Sequence, residues 1–362
     1  MTLAPQSPAY IRAISPYQPG KPVTQLAREM GMAVDSIVKL ASNENPLGMS
    51  PKARVAVSAA LSGVARYPDQ FDLTRALSER LGVAPECIVL GNGSNDVLDL
   101  VARVFVAPGR SAVFSRHAFA VYPLATMSAG GECLQVPAKD FAHDLEAMRL
   151  AIRSDTRVVW IANPNNPTGT FVPYPALKTF LAKVPADVIV VLDEAYNDYL
   201  PLALRADTVA WLKEFPNLVI TRTFSKIHGM AGLRIGFALA SSKVADLMQR
   251  VRQPFNVNNL ALAGAIGAVD DHGFLAESFE VNRGGMEQII AGLKRLGLSH
   301  ISGEGNFLAF HAGDAAGINQ KLLRQGVIVR PLGNYAMPEH LRVTVGLERE
   351  NQRFLDALAK AL

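Results

Sequence analysis

The feature that most restricts how this chain can fold is a succession of short apolar runs. They are Cys87–Leu90, Ala112–Ser115, Cys133–Val136, Arg157–Ala162, Val188–Asp193, Leu218–Thr223 and Ile235–Ala240. Most are separated by roughly 20–30 residues, the room that a crossover helix needs between parallel strands. Val188, Ile189, Val190, Val191 and Leu192 are consecutive, so that strand has no polar face and is expected to be buried on both sides, as in a mostly parallel sheet. The intervening segments carry helical periodicity; after Gly93-Ser94, residues Val97, Val101, Val104 and Phe105 fall on one face. From residue 258 the pattern changes. Helices dominate, then strand-like runs follow at Asn306–His311, Gly326–Arg330 and Leu341–Val345. The expected class is α/β, a large domain with a mostly parallel sheet flanked by helices plus a smaller α+β domain. The expected division is an extended, Pro-rich N-terminal arm over 1–30, a first part of the small domain over 31–62, the large domain over 63–257 and the C-terminal small domain over 258–362.

Composition narrows the class of function. Hydrophobic residues make up 49% and charged residues 19% of the 362, a balance that builds an extensive core rather than a disordered chain. The net charge of +4, from 36 basic and 32 acidic residues, is spread along the chain without a Lys/Arg run. That argues against nucleic acid and against a membrane surface as partners. Cys87 and Cys133 sit in short apolar runs without metal-ligand spacing and read as reduced, buried thiols. The first residues lack the basic start and apolar core of a signal peptide. No apolar stretch approaches the roughly 18–20 residues of a membrane span; Leu260–Val269 ends at Asp270-Asp271 and reads as a packed helix. A cytoplasmic location is expected.

Four features carry chemistry. Gly91-Asn92-Gly93-Ser94-Asn95 follows a strand and opens a helix. Glycine permits close backbone approach and a helix N-terminus offers free N–H groups to an anion, so the run reads as a phosphate cup. Taken alone it is also an ordinary capped turn. Asn163-Pro164-Asn165-Asn166-Pro167-Thr168-Gly169 stands at the C-terminal end of a strand, where α/β folds place ligands, although any Pro/Gly-rich loop looks similar. Asp193, in Asp193-Glu194-Ala195-Tyr196, ends an apolar strand. A carboxylate there requires a cationic partner, a helix cap or an ion pair. Lys226, in Thr223-Phe224-Ser225-Lys226, lies just past another buried strand, with Arg234 eight residues on. Desolvation and nearby cations make such an amine nucleophilic, while a lone lysine in a loop is by default a surface residue.

Taken in this order, the four features resemble the fold-type I aminotransferases of class I/II, and within them the histidinol-phosphate aminotransferase branch. The resemblance runs from about Ser15 to the C-terminus. It rests also on Lys39-Leu40-Ala41-Ser42-Asn43-Glu44-Asn45-Pro46-Leu47-Gly48, on Arg66-Tyr67-Pro68-Asp69 and on Gly232-Leu233-Arg234-Ile235-Gly236. It implies pyridoxal 5'-phosphate as cofactor and no metal. Lys226 would hold the cofactor as a Schiff base and later move the α-proton. Asp193 would pair with the pyridine nitrogen, and Asn166 and Tyr196 would hydrogen-bond the phenolic oxygen. Gly93, Ser94, Asn95, Thr223, Ser225 and Arg234 would form the phosphate site. Phe119 would place its ring over the cofactor. Tyr67 would reach the phosphate of the neighbouring subunit, which implies a homodimer. Arg342 would clamp the substrate α-carboxylate, and Arg330, helped by Tyr17, would face a distal phosphate. Two positions depart from the pattern: Asn95-Asp96 replaces an acidic pair, and His228 stands where an aromatic residue is common, as a packing substitute or as a tuner of the entrance.

The implied reaction transfers an amino group between L-histidinol phosphate and 2-oxoglutarate, both small molecules. Arg116–Tyr122 and Val329-Arg330-Pro331-Leu332 also resemble a subgroup that accepts aromatic amino acids, so an aromatic or dual-specificity aminotransferase is the alternative. A decarboxylase on the same fold would share the cofactor machinery. A non-catalytic regulator would have an added DNA-binding domain and fits less well.

Overall fold

Each of the seven apolar runs becomes a strand of one sheet. The computed structural model describes residues 7–362. Among these, the strands in chain order are β1 (Val38–Lys39), β2 (Ile88–Gly91), β3 (Ser111–Ser115), β4 (Glu132–Val136), β5 (Thr156–Ala162), β6 (Ile189–Asp193), β7 (Leu218–Thr223), β8 (Gly236–Ala240), β9 (Phe307–His311), β10 (Val327–Ile328), β11 (Arg330–Pro331) and β12 (His340–Thr344). The large sheet has the order β2-β8-β7-β6-β5-β3-β4. Its neighbours pair in parallel except that β8 is antiparallel to both β2 and β7.

The pleat explains why the central strands are apolar between their ends. Alternate side chains point to opposite faces, and here both faces are covered. Val190, Leu192, Val159, Ile161, Leu218 and Ile220 pack into one core, together with Leu73, Leu77, Leu177 and Phe180 from the helices Phe71–Leu81 and Tyr174–Leu181. Ile189, Val191, Val158, Trp160 and Val219 pack into the other, against Val97, Leu98 and Val101 of the helix Ser94–Phe105 and Met248 of the helix Ser242–Val251. Trp160 is fully buried there and stacks on Tyr122, with centroids 5.4 Å apart.

A second, three-stranded antiparallel sheet of order β11-β12-β9 is packed by the helices Ala315–Arg324 and Glu348–Ala361. The 24-residue helix His272–Arg295 leads into it from the large sheet. β1 pairs in parallel with β10 and carries Leu40 into this C-terminal core. Ala53 of the helix Pro51–Ala60 instead joins the large-sheet core, as do Ala261, Leu262 and Ala265 of the helix Asn259–Val269.

Two expectations change. The N-terminal segment is not simply extended, because it contains the helices Ala9–Arg12 and Val23–Met30. In the second, Leu26 and Ala27 pack against Ala41, Leu323 and Ile328. A Pro at the cap and Gly31 at φ 65° bound a helix too short for its periodicity to register. The run Gly326–Arg330 is not one strand either: β10 pairs with β1 and β11 with β12, so the chain changes sheets at Val329.

Candidate active site

β5, β6 and β7 end together, with Ala162 opposite Asp193 and Asp193 opposite Thr221. Beside them, Gly91 of β2 and Thr223 of β7 both pair with Gly236 of β8. The loops that follow therefore open on one edge, around a cavity of about 180 Å³. Of the residues to which the resemblance gives a catalytic, cofactor or substrate role, only Gly93 and Tyr67 do not line it. Its charged lining comprises Lys226, Arg234, Arg330 and Arg342 against the single carboxylate of Asp193, so the cavity is built for anions.

Asp193 ends β6, and the side chains of Asp193 and of Glu194 that follows it have different partners. Glu194 turns to Arg222, 2.8 Å away, and to the Thr208 hydroxyl at 2.7 Å. Asp193 faces the cavity, and its carboxylate accepts from the Tyr122 hydroxyl and the Thr221 hydroxyl, each at 3.0 Å, and from Ala195 N at 3.3 Å. Burial pushes this carboxyl up from the usual range and the hydrogen bonds pull it back. A cationic N–H donor is the partner that would stabilise its charged form.

Lys226 projects from the loop after β7. Its Nζ donates to Ser42 O at 3.3 Å and lies 5.4 Å from the centre of the Tyr196 ring. Burial, with Arg342 and Arg234 adding repulsion, lowers its pKa to about 8. The Tyr196 hydroxyl accepts from Asn43 Nδ2 at 2.9 Å, and burial pushes its pKa up to about 12.

In the 163–169 loop the asparagines divide the work. Asn163 closes on the backbone of Val172 through both side-chain atoms, at 2.8 and 2.9 Å, and Asn165 Nδ2 donates to the Thr168 hydroxyl and to His117 O. That leaves Asn166 on the cavity, where its Oδ1 accepts from Arg342 Nη1.

At the other end, Gly93 has φ 83° and the Arg234 guanidinium lies over it; a Cβ there would come within 2.2 Å of Arg234 Nη2. Only glycine fits. The helix Ser94–Phe105 starts at this point without a side-chain cap, leaving first-turn N–H groups free for an anion. Arg234 Nη1 donates to the Ser225 hydroxyl at 3.3 Å. Asn95 lines the cavity, whereas Asp96 is engaged by Asn92 N and Asn256 Nδ2 at 2.8 Å each.

Arg330 and Arg342 stand directly opposite each other on β11 and β12. They are 8% and 5% exposed, so they are not solvated strand-end charges. Like charges across a strand pair repel, and buried ones need a counter-charge. Arg342 Nη2 donates to Ala41 O at 2.8 Å while its buried Nε has no partner. Arg330 Nη2 donates to Gln18 O at 2.8 Å, and the guanidinium lies 5.7 Å from the Tyr17 ring. An anion between them is the evident complement.

Several residues of the site had no role in the sequence reading. Tyr122 holds Asp193 and meets Phe119 edge-on at 5.9 Å, which presents the Phe119 ring to the cavity. Asn43 donates to the Tyr196 hydroxyl and the Thr221 hydroxyl donates to Asp193. His143, its pKa lowered to about 4 by burial, donates Nε2–H to Ala162 O at 2.9 Å and secures the end of β5. His228 packs against Phe224 at 4.7 Å and lines a different cavity with Arg80, Asp198 and His272.

The model of the family described as aminotransferase class I and II matches residues 35–358. The chain belongs to that family. This aminotransferase is 70% identical over 362 residues, the whole of both chains, to histidinol-phosphate aminotransferase 1 of Dechloromonas aromatica (strain RCB). It is 61% identical over 365 residues to histidinol-phosphate aminotransferase 2 of Nitrosospira multiformis, covering 100% of this chain and 93% of the relative. A solved histidinol-phosphate aminotransferase from Sinorhizobium meliloti, in complex with pyridoxal-5'-phosphate, superposes with a TM-score of 0.91 at 27% identity, covering 99% of each chain. The aspartate aminotransferase of Thermus thermophilus with maleate shares the fold, with a TM-score of 0.85 at 22% identity.

Proposed function

We propose that the protein is a pyridoxal-phosphate-dependent enzyme that transfers the amino group of L-histidinol phosphate to 2-oxoglutarate, giving imidazole acetol phosphate and L-glutamate in histidine biosynthesis. The observation that carries this reading is the pair of buried, facing arginines, Arg330 and Arg342, in a chain 70% identical along its whole length to a histidinol-phosphate aminotransferase.

The residues present suit the cofactor. The Gly93 cradle, Ser94, Asn95, Thr223, Ser225 and Arg234 would hold its phosphate, and Asp193 its ring nitrogen. Asn166 and Tyr196 would hold the phenolic oxygen, Phe119 would stack on the ring and Lys226 Nζ would bind it covalently. When bound, pyridoxal phosphate supplies a carbonyl that condenses with amines and a ring that takes up the electron pair left when a Cα–H bond breaks. The protein supplies the rest. The Asp193 carboxylate would hold the proton on the ring nitrogen. The Lys226 amine would also be the base that takes the proton from the substrate Cα and, as the acid, gives a proton back. The arginines orient the substrate.

Substrate chemistry revises the division of labour between those arginines. Histidinol phosphate has no α-carboxylate; a phosphorylated hydroxymethyl group stands in its place. Arg342 therefore takes the carboxylate of glutamate in one half-reaction and joins Arg330 on the phosphate in the other. The experiment is the half-reaction of the cofactor-loaded enzyme with L-histidinol phosphate and, separately, L-phenylalanine, followed by the loss of cofactor absorbance. Histidinol phosphate should react faster by about tenfold or more, the worth of one charge-assisted contact. Equal or faster reaction with phenylalanine would make the enzyme an aromatic aminotransferase and overturn the reading.

The active unit is proposed to be a homodimer in which Tyr67 completes the neighbouring phosphate site. In support, Tyr67 is 80% exposed and stacks at 4.4 Å on Phe255, itself 54% exposed, away from its own cavity. Tyr67→Ala should weaken cofactor binding, and mixing it with Lys226→Ala should restore one intact site per hybrid dimer. Mixed subunits that exchange without regaining activity would remove Tyr67 from that role. Among the described residues no helix is long and apolar enough to cross a membrane. The proposed location is the cytoplasm, in keeping with two free cysteines.

A further inference from the structure

Tyr335 is a cavity residue to which the reading above gives no task. It lies in the turn Gly333–Tyr335, between the strands that carry Arg330 and Arg342. It is 5% exposed and lines the active-site cavity. Its hydroxyl has no hydrogen-bond partner among the described residues and is not among the sealed, orphaned polar atoms, so it opens on the cavity. A phenol so enclosed normally finds a partner. Its charged neighbours, Arg330 and Arg342, can only donate. Burial pushes the Tyr335 pKa up, which keeps the group a neutral donor. What is missing is an acceptor, beside two guanidiniums that themselves need an anion.

A second contact anchors the backbone that carries that donor. His117 Nδ1 lies 2.7 Å from Tyr335 O. A carbonyl only accepts, so Nδ1 carries the proton and donates. The carbonyl of His117 is in turn held by Asn165 Nδ2 at 2.9 Å, and Ala120 and Phe141 pack on the cluster formed by Leu332, Tyr335 and Met337. Thus one segment, 117–120, carries Phe119 at the cavity and also anchors the turn that bears Tyr335.

We infer that Tyr335 is a specificity-determining contact that donates its hydroxyl to the phosphate of the substrate, and that His117 is the residue that positions it. The inference rests on the proposed function: the phosphate stands one CH₂–O farther from Cα than a carboxylate, toward Tyr335.

The test compares half-reactions with L-histidinol phosphate and L-glutamate in the wild type, Tyr335→Phe, His117→Ala and His117→Asn. Tyr335→Phe keeps the ring and should raise half-saturation by histidinol phosphate about tenfold, as expected for a hydrogen bond to a charged group, while that by glutamate moves less than about twofold and the limiting rate changes little. His117→Ala should shift the two substrates in the same unequal way. His117→Asn, whose Nδ2 replaces the lost donor, should restore the wild-type ratio. Equal losses for both substrates, or none, would overturn the contact while leaving the function standing. A wild type that reacts with glutamate but ignores histidinol phosphate would overturn both.

Discussion

Lys226→Ala should abolish nearly all turnover, by about four orders of magnitude, the upper range of what a positioned acid–base group contributes. Borohydride should then fix no cofactor to the protein; a trapped adduct in this variant would sink the assignment. The loss is chemical rather than structural, because Lys226 Nζ makes only a long 3.3 Å bond to Ser42 O. The amine's environment gives a second handle. With its pKa lowered to about 8 from 10.5, about half of it is neutral at pH 8, against under about 1% for an ordinary lysine. Acylation of Lys226 in the cofactor-free protein should rise with pH around a midpoint near 8, and a midpoint near 10.5 would refute the desolvated amine. The linked stability has a definite sign. Between about 8 and 10.5 the unfolded chain binds a proton that the folded chain refuses, so stability rises with pH across that window and the penalty is complete below it. Cofactor-free Lys226→Ala should lack this dependence.

The machinery of the large sheet was readable because a buried parallel strand has only one kind of polar position, its end. The runs ending at Ala162, Asp193 and Thr223 had to bring their loops to one edge, and those loops contain Asn166, Tyr196 and Lys226. Strand limits fell within about a residue of expectation for the same reason: between their ends, strands covered on both faces are apolar. Illegible were the residues that act through another. Asn43 reaches Tyr196 across 153 positions, and Tyr122 looks like any apolar residue of a helix until its hydroxyl is seen on Asp193. Arg330 and Arg342 could be named from resemblance. That they face each other follows only from the pairing of β11 with β12, two residues long, which no periodicity announces. Val23–Met30 was hidden by its brevity and the prolines before it.

Asp193→Asn should lower kcat by about two to three-and-a-half orders of magnitude, the equivalent of roughly 3–5 kcal/mol for removing one partner of a buried charge pair. The substitution keeps the shape of the side chain, and Oδ1 can still accept from the Thr221 hydroxyl, but an amide cannot hold a proton on the ring nitrogen. The second oxygen becomes a donor facing the Tyr122 hydroxyl, which the carboxylate accepts from at 3.0 Å. The hydroxyl must then rotate to accept, so the cost to folding should be small beside the cost to catalysis. Affinity for the cofactor phosphate should be nearly unchanged, because Arg234, Ser225 and the Gly93 cradle stand on other loops. The decisive comparison is kcat for L-histidinol phosphate against cofactor affinity in the same variant. A large fall in kcat with affinity retained identifies the charge of Asp193 as the element that makes the ring an electron sink. A variant that keeps wild-type kcat would show that hydrogen bonding at this position suffices, and that the burial of a lone carboxylate among hydroxyls serves the fold rather than the reaction.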